Sequence, residues 1–370
     1  MNKAYKYRIY PNKTQEQQLA RTFGCCRFVY NQILALQETN HKNNIKHMSK
    51  FDMNNYCNHV LKAEYPFLKE VDKFAVTNAI YFLETGYQRF FQKQGGYPKF
   101  KNKHRSRKSY TTNFTNNNIE VLEHEIKLPK LGKVKAVIHR VAPSGYHLKS
   151  ATVSQERDGS FYCSVLYEYE AVIMPVAVKE IIGLDYKSDG LYVSSDEKVC
   201  GSPKYSRKAA KKLAKAQRRL KHMQMHSSNY NKQQQKVARI HRHISNQRKD
   251  FLHKKSTEIA NLYDLVCVEN LNMKSMSNKG FGNGKATLDN GYGMLLNMLD
   301  YKLADRGRQL IRVGKWYASS QICSCCGEVN KMTLSDRKYQ CSCGNRMDRD
   351  LNAAINIKNE GYRLYREIVA

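Results

Sequence analysis

Polarity alternates along residues 3–10, KAYKYRIY, which predicts a β-strand ended by Pro11. Thr14 is placed to cap the next segment, with Gln17 at the capping-box position. Leu19, Phe23, Phe28, Tyr30 and Ile33 then recur at helical spacing through 15–40. Further helices are predicted over 51–64 and 73–94, the second broken by Gly95-Gly96. From about 110 to 178 the period falls to two, in short runs with Gly turns such as IKLPKLGKVKAVI and ATVSQERDGSFYCSVLYEYE. A small barrel or sandwich fits, and the first strand could join it, leaving the helices as an insertion. Residues 180–195 read as a hairpin. A polar helical region covers 204–262 with a break at Ser227-Ser228-Asn229. Leu213, Ala216 and Leu220, then Val237, Ile240, Ile244 and Phe251, give each arm a narrow apolar face, as in a helical hairpin lying on a larger body. DLVCVE, 264–269, is a buried-strand run. The Gly-, Ser- and Asn-rich stretch MKSMSNKGFGNGKATLDNGYG after it reads as a mobile loop. A helix over 293–305, a strand over 309–314, a cysteine block and a helix from about 351 complete the chain.

Charge sharpens this picture. The chain of 370 residues has 63 Lys+Arg against 32 Asp+Glu, a net charge of +31. Self-repulsion on that scale costs stability, and a polyanionic partner offsets it by counterion release. Nucleic acid is the leading partner and a membrane surface the second. No run of 18 apolar residues and no apolar leader is present, so a cytosolic protein is expected. Eleven cysteines, an odd number, suit metal binding better than disulfides in that compartment. Five of them lie between Cys323 and Cys343; the other six read as packing residues.

The cysteine block reads C323-S-C-C326-G … C341-S-C343-G, two knuckles each followed by Gly, the layout of a zinc ribbon. Cys325 is an alternative to Cys326. Three acids stand out. Asp185 follows an apolar run, Glu269 ends DLVCVE, and Asp350 opens a helix, with Asp348 a rival. Each alone has an ordinary reading: a turn residue, a salt bridge to lysine, an N-cap. Together, in a basic chain, they are the carboxylate set that holds divalent metal for phosphodiester cleavage. The cation-rich arms at 204–255 point to phosphate contact.

The order GLDYKSDGLYVSSD, basic hairpin, VCVENLNM, SSQICSCCG, CSCGNRMDRDLNAAINI resembles the TnpB (OrfB) proteins of insertion sequences. So do the opening KYRIYPNKTQEQQLARTFGCCRFVYN and the pieces EVDKFAVTNAIYFLETGYQRFF, GYPKFKNK and FTNNNI, so that essentially the whole chain is covered. That resemblance implies an RNA-guided DNA endonuclease related to type V CRISPR effectors. The implied fold is α+β and multidomain. A wedge β-barrel takes 1–10 and 110–179, and a helical recognition domain takes 11–109. A RuvC-like (RNase H fold) nuclease domain takes 180–319 and 347–370, interrupted by a zinc-binding segment at 320–346. Two Mg²⁺ ions (Mn²⁺ being a substitute) would sit on Asp185, Glu269 and Asp350, and Zn²⁺ on Cys323, Cys326, Cys341 and Cys343. The resemblance favours Asp350 over Asp348. A guide RNA from the transposon end would select double-stranded target DNA, with neither membrane nor protein oligomer required, in a bacterial or archaeal cytosol. Residues reading a short motif beside the target would be Lys73, Phe74, Thr77, Asn78, Thr115 and Asn116, with Phe51 and Asn55. Thr77 stands where a relative has Gln, so the motif differs. Descendants that have lost the acidic triad act as RNA-guided repressors; all three acids stand here, which favours a nuclease. The alternatives are a DNA transposase acting without RNA and a non-catalytic regulator.

Overall fold

A computed structural model describes every residue except 172, 279, 281, 334, 335 and 370. Its internal contacts divide it into two units, Met1–Ala171 and Val172–Ala370.

In the first unit the period-two runs become β1 (Asn2–Tyr10), β2 (Lys108–Asn113), β3 (Glu120–Val121), β4 (Glu125–Leu128), β5 (Gly132–Val137), β6 (His147–Gln155) and β7 (Phe161–Glu168). They form one antiparallel sheet in the order β2-β6-β7-β1-β5-β4-β3. β1, far from the others in sequence, occupies an interior place between β7 and β5. Tyr5, Tyr7 and Ile9 point inward on alternate positions, as do Phe161, Cys163, Val165 and Tyr167. Leu19, Phe23, Cys26, Ala75 and Ala79 from the inserted helices complete that core.

Those helices are α1 (Lys13–Lys42), α2 (Lys50–Tyr56), α3 (Lys62–Glu64) and α4 (Lys73–Phe91). The α1 cap falls two residues earlier than expected. Asn12, held extended after Pro11, accepts from Gln15 N at 2.8 Å, and Gln15 Oε1 accepts from Asn12 N at 3.0 Å. Gln15 also donates to the carbonyls of Leu131 and Lys133, pinning the helix start to the β4–β5 turn, a contact Thr14 and Gln17 do not make. The helix expected over 51–64 is interrupted by a wide π-turn at Cys57–Leu61. Cys57 and Leu61, the two ends of that turn, both face the helical core. α4 stops at Phe91, before the glycines, because Lys93 adopts the left-handed conformation.

In the second unit β8 (Ile181–Tyr186), β9 (Tyr192–Ser194) and β10 (Val199–Cys200) form an antiparallel meander. α5 (Tyr205–Lys221) and α6 (Ser228–Leu262) form the helical hairpin, whose arms meet through Ala216, Ile240 and Ile244. β11 (Leu265–Glu269) then returns parallel to β8. The stretch expected to be a mobile loop instead contains α7 (Met273–Met276) and α8 (Gly284–Asn290), the first capped by Asn272, the second closed by left-handed Gly291. α9 (Tyr292–Ala304) leads to β12 (Gln309–Val313), parallel to β11. The sheet order β10-β9-β8-β11-β12, a meander followed by two parallel strands, is that of an RNase H fold. Between β12 and the last helix lies a small hairpin of β13 (Lys338–Gln340) and β14 (Arg346–Asp348). α10 (Arg349–Val369) packs across β8 and β11 where the chain has no side chain to spare. A Cβ on Gly183 would meet the backbone of Ala354 and Lys358, and one on Gly361 would meet Cys267 Sγ. The α+β multidomain class holds, with the cysteine hairpin inserted between the RNase H-type sheet and its last helix.

Candidate active site and cysteine centre

Parallel pairing places two acids side by side. Leu184 of β8 lies opposite Val268 of β11, so Asp185 and Glu269 follow at the same end of the two central strands. Asp185 is half-buried. Loss of water around its carboxyl, then the charges of Glu269 and Asp350, push its pKa well above the carboxylate range, with Arg349 pulling the other way. Glu269 is also pushed up by burial, against a hydrogen bond of 2.6 Å donated by Ser319 Oγ. Asp350 comes from the first turn of α10. Its Oδ2 accepts from Lys187 Nζ at 2.9 Å, and Arg349 lies 3.7 Å from its Oδ1. The neighbouring acid has a different job. Exposed Asp348 accepts from the backbone N–H groups of Asp350 and Leu351, at 2.9 and 3.2 Å, and so caps α10. That leaves the Asp350 carboxylate free to meet Asp185.

Three groups around these acids escape a reading by motif. Lys187 lies two residues after Asp185, so period two puts both on one side of the strand; that spacing is a usable signal. Ser319 has no such signal. Tyr292 is fully buried, feels the charges of Asp185 and Glu269, and its hydroxyl has no hydrogen-bond partner among the described residues. Mutually repelling carboxylates beside an orphaned buried hydroxyl are a donor set that a hard divalent cation with its water would satisfy.

The cysteine centre is geometrically complete. The four Sγ atoms of Cys323, Cys326, Cys341 and Cys343 lie within 4.8 Å of one another. Cys323–Cys343 and Cys326–Cys341 separations are 3.7 and 3.6 Å. A tetrahedron with Zn–S bonds of about 2.3 Å has edges of about 3.8 Å, so these residues fit zinc. Gly327 and Gly344, both at positive φ, close the two knuckles by donating to the carbonyls of Cys323 and Cys341. Cys325 is exposed and outside the cluster. Buried Asn352 and Asn356 of α10 hold the segment before it: Asn352 accepts from Ser324 N and donates to Ile322 O, and Asn356 donates to Ser319 O and Ile322 O. One helix therefore carries Asp350, the strut to the first knuckle and the anchor of Ser319.

The base of the helical hairpin is fastened to α8. Asp289 caps the start of α5, where Lys204 offers no side-chain cap, by accepting from the N–H groups of Ser206 and Arg207, and it accepts from Arg248 Nη2 of α6 at 2.9 Å. Asn290 donates to the carbonyls of Lys187 and Ser188, next to the acids. Above that base, Lys211, Lys212, Lys215, Arg218 and Arg219 are exposed on α5, which carries no acid.

Over nearly its whole length the chain matches curated relatives. It is 33% identical to a "Putative RNA-guided DNA endonuclease" of Streptomyces pristinaespiralis, over 98% of this chain and 90% of that one. It is 30% identical to the "Putative RNA-guided DNA endonuclease InsQ" of Escherichia coli K12, over 97% and 92%. The chain belongs to the TnpB family. Family models agree along it: a "Helix-turn-helix domain" of the OrfB type at 1–46, a "Probable transposase" of the OrfB type at 164–280, and a "Cas12f1-like, TNB domain" at 292–357. A solved chain from a Cas12f1–sgRNA–target DNA complex shares the fold at 14% identity, with a TM-score of 0.62 and coverage of 97% of this chain and 99% of that one.

The motif-reading residues implied by the TnpB resemblance lie on α2, α4 and the turn after β2. Thr77 donates to Asn54 at 3.3 Å, and Asn78 Nδ2 donates to Thr111 O and Asn113 Oδ1, so α4 is tied to both neighbours. Phe51 is 64% exposed with Lys50 over its ring, and Asn55 is exposed. Lys73 lies over the Phe74 ring, and both are reachable by solvent. Thr115 and Asn116 are exposed, Asn116 in the left-handed conformation. Among the described residues no helix is long and apolar enough to cross a membrane.

Proposed function

We propose that this chain is an RNA-guided DNA endonuclease whose phosphodiester chemistry takes place at Asp185, Glu269 and Asp350. The observation that carries the reading is the convergence of these three carboxylates at the ends of the central strands of an RNase H sheet, in a chain that matches relatives named as RNA-guided endonucleases over nearly its whole length. The acids would hold two Mg²⁺ ions, or Mn²⁺, which when bound activate water and stabilise the leaving 3′ oxygen. The protein's own contribution is placement. The strand pairing fixes Asp185 beside Glu269, Ser319 orients Glu269, and the Asp348 cap frees Asp350. Lys187 holds Asp350 toward the cluster and supplies a positive charge for a DNA phosphate. Zn²⁺ on the four cysteines would fold the hairpin at 320–346, which has little core of its own.

The remaining assignments follow the family. Residues 1–10 and 110–179 serve as the wedge, 11–109 as the recognition domain, and 180–319 with 347–370 as the nuclease domain. Lys73, Phe74, Thr77, Asn78, Thr115, Asn116, Phe51 and Asn55 read a short DNA motif. The guide RNA comes from the transposon end, and the exposed cations of α5 and α6 grip its backbone. The protein works in the cytosol of a bacterium or archaeon, on the nucleoid.

The test is the RNA that accompanies the purified protein. Sequencing should return one RNA species ending in a variable segment, and exchanging that segment should redirect cutting to the matching DNA beside a fixed motif. Cutting that is unchanged after the RNA is removed would overturn the guided reading.

A further inference from the structure

Trp316 is the only tryptophan of the chain. At 87% exposure it is also the most exposed large apolar side chain among the described residues. A loose loop would explain that, but this loop is held at both sides. Tyr317 donates its N–H to Gly314 O at 3.0 Å, and its ring packs on the cluster of Cys267 and Ile357. Ser319, buried, gives its hydroxyl to Glu269 and its carbonyl to Asn356. Just before it, Val313 pairs in register with Glu269, so the chain leaves the sheet at the edge where the acids gather. Lys315 Nζ lies 4.6 Å from the centre of the Trp316 ring and covers one face. The exposure leaves the other face to solvent.

We propose that Trp316 is a stacking platform for an unpaired DNA base beside the acid centre, with Lys315 meeting an adjacent phosphate. The choice of ligand rests on the nuclease reading. A flat π-surface next to a cation matches a nucleobase on an anionic backbone. It matches an apolar protein face poorly, because the Lys315 ammonium over the indole would be desolvated with it. Stacking is indifferent to base identity, as a centre that cuts whatever sequence a guide selects requires.

A single tryptophan makes the test direct. The full-length protein, with the RNA it carries, is titrated with a fluorescein-labelled mixed-sequence single-stranded deoxyoligonucleotide, with Ca²⁺ in place of Mg²⁺ to prevent cutting. Anisotropy reports binding, while indole emission and iodide quenching report Trp316. Saturating oligonucleotide should quench the emission by about half or more and protect the indole from iodide. An abasic oligonucleotide of equal length should bind without doing so. Trp316→Phe should bind within about twofold of the parent, and Trp316→Ala should bind about tenfold more weakly. Binding with unchanged emission and iodide access overturns the proposal while leaving the nuclease reading intact, as does equal quenching by the abasic strand. Absence of any binding also overturns the proposal, and guided cutting of a matching duplex by the same preparation tests the nuclease reading separately.

Discussion

The cysteine centre and the acid centre are built in opposite ways. Cys323 and Cys343 are 20 residues apart, and each pair is shaped by its own glycine knuckle. The acid centre draws on strands β8 and β11 and on α10, and its Lys187–Asp350 bond spans 163 residues. A local centre depends on turn chemistry and its ion. A distributed centre depends on every contact that sets strand register and helix position. The two meet on α10, whose Asn352 and Asn356 brace the first knuckle within two turns of Asp350.

The comparison is broken most severely at the knuckles. Cys326→Ser should leave the protein without its zinc and unfold the hairpin, since structural zinc contributes on the order of 10–16 kcal/mol to such segments. Cys325→Ser should keep full zinc. Metal content by mass spectrometry and proteolysis between 320 and 348 check both; zinc loss from Cys325→Ser would reassign the ligand.

Next is the fastening of the hairpin. Asp289→Ala removes the buried carboxylate that pairs with half-buried Arg248 and caps α5, and should cost about 3 kcal/mol in urea unfolding. Burial raises the Asp289 pKa, but the Ser206 N–H and the Arg248 guanidinium outweigh it, so the net shift is downward. Its contribution is therefore present above the unfolded carboxyl pKa of about 3.9 and is lost as pH falls through the lower folded value. The variant should lack that part of the acid decline; an identical pH profile would contradict this.

Gly183→Ala is expected to be smaller. A methyl group there must push α10 off β8 and should cost about 1–3 kcal/mol, with a matching fall in melting temperature. Smallest is Asp348→Ala, which removes a cap worth about 1 kcal/mol and should leave guided cutting within a few-fold of the parent. A loss of cutting at Asp348 as deep as at Asp350 would erase the distinction between the two acids.

Legibility in the sequence follows the same divide. Strands with one wet face show period two, and the cysteine knuckles show their spacing, because both patterns are local. The acids looked ordinary singly, since Asp185, Glu269 and Asp350 acquire their meaning from strand pairing and helix docking that no short window contains. The α1 cap shifted from Thr14 to Asn12 because Gln15 also bonds the β4–β5 turn, a contact from more than a hundred residues away. The stretch before α9 looked like loop by composition, but Asn272, Asp289 and Asn290 spend their side chains on caps and on backbone ties. Nothing in the spacing marks Tyr292, or Ser319 at the start of SSQICSCCG, as a neighbour of the acids, and only the folded chain brings them there.

The most direct measurement is guided cleavage by Asp185→Asn with Mg²⁺, with target binding recorded in the same preparation. The account predicts binding equal to the parent and cutting reduced at least about a thousandfold, as expected for removal of a group that acts on the reacting phosphate. Cutting within about threefold of the parent, with zinc still bound, would contradict it.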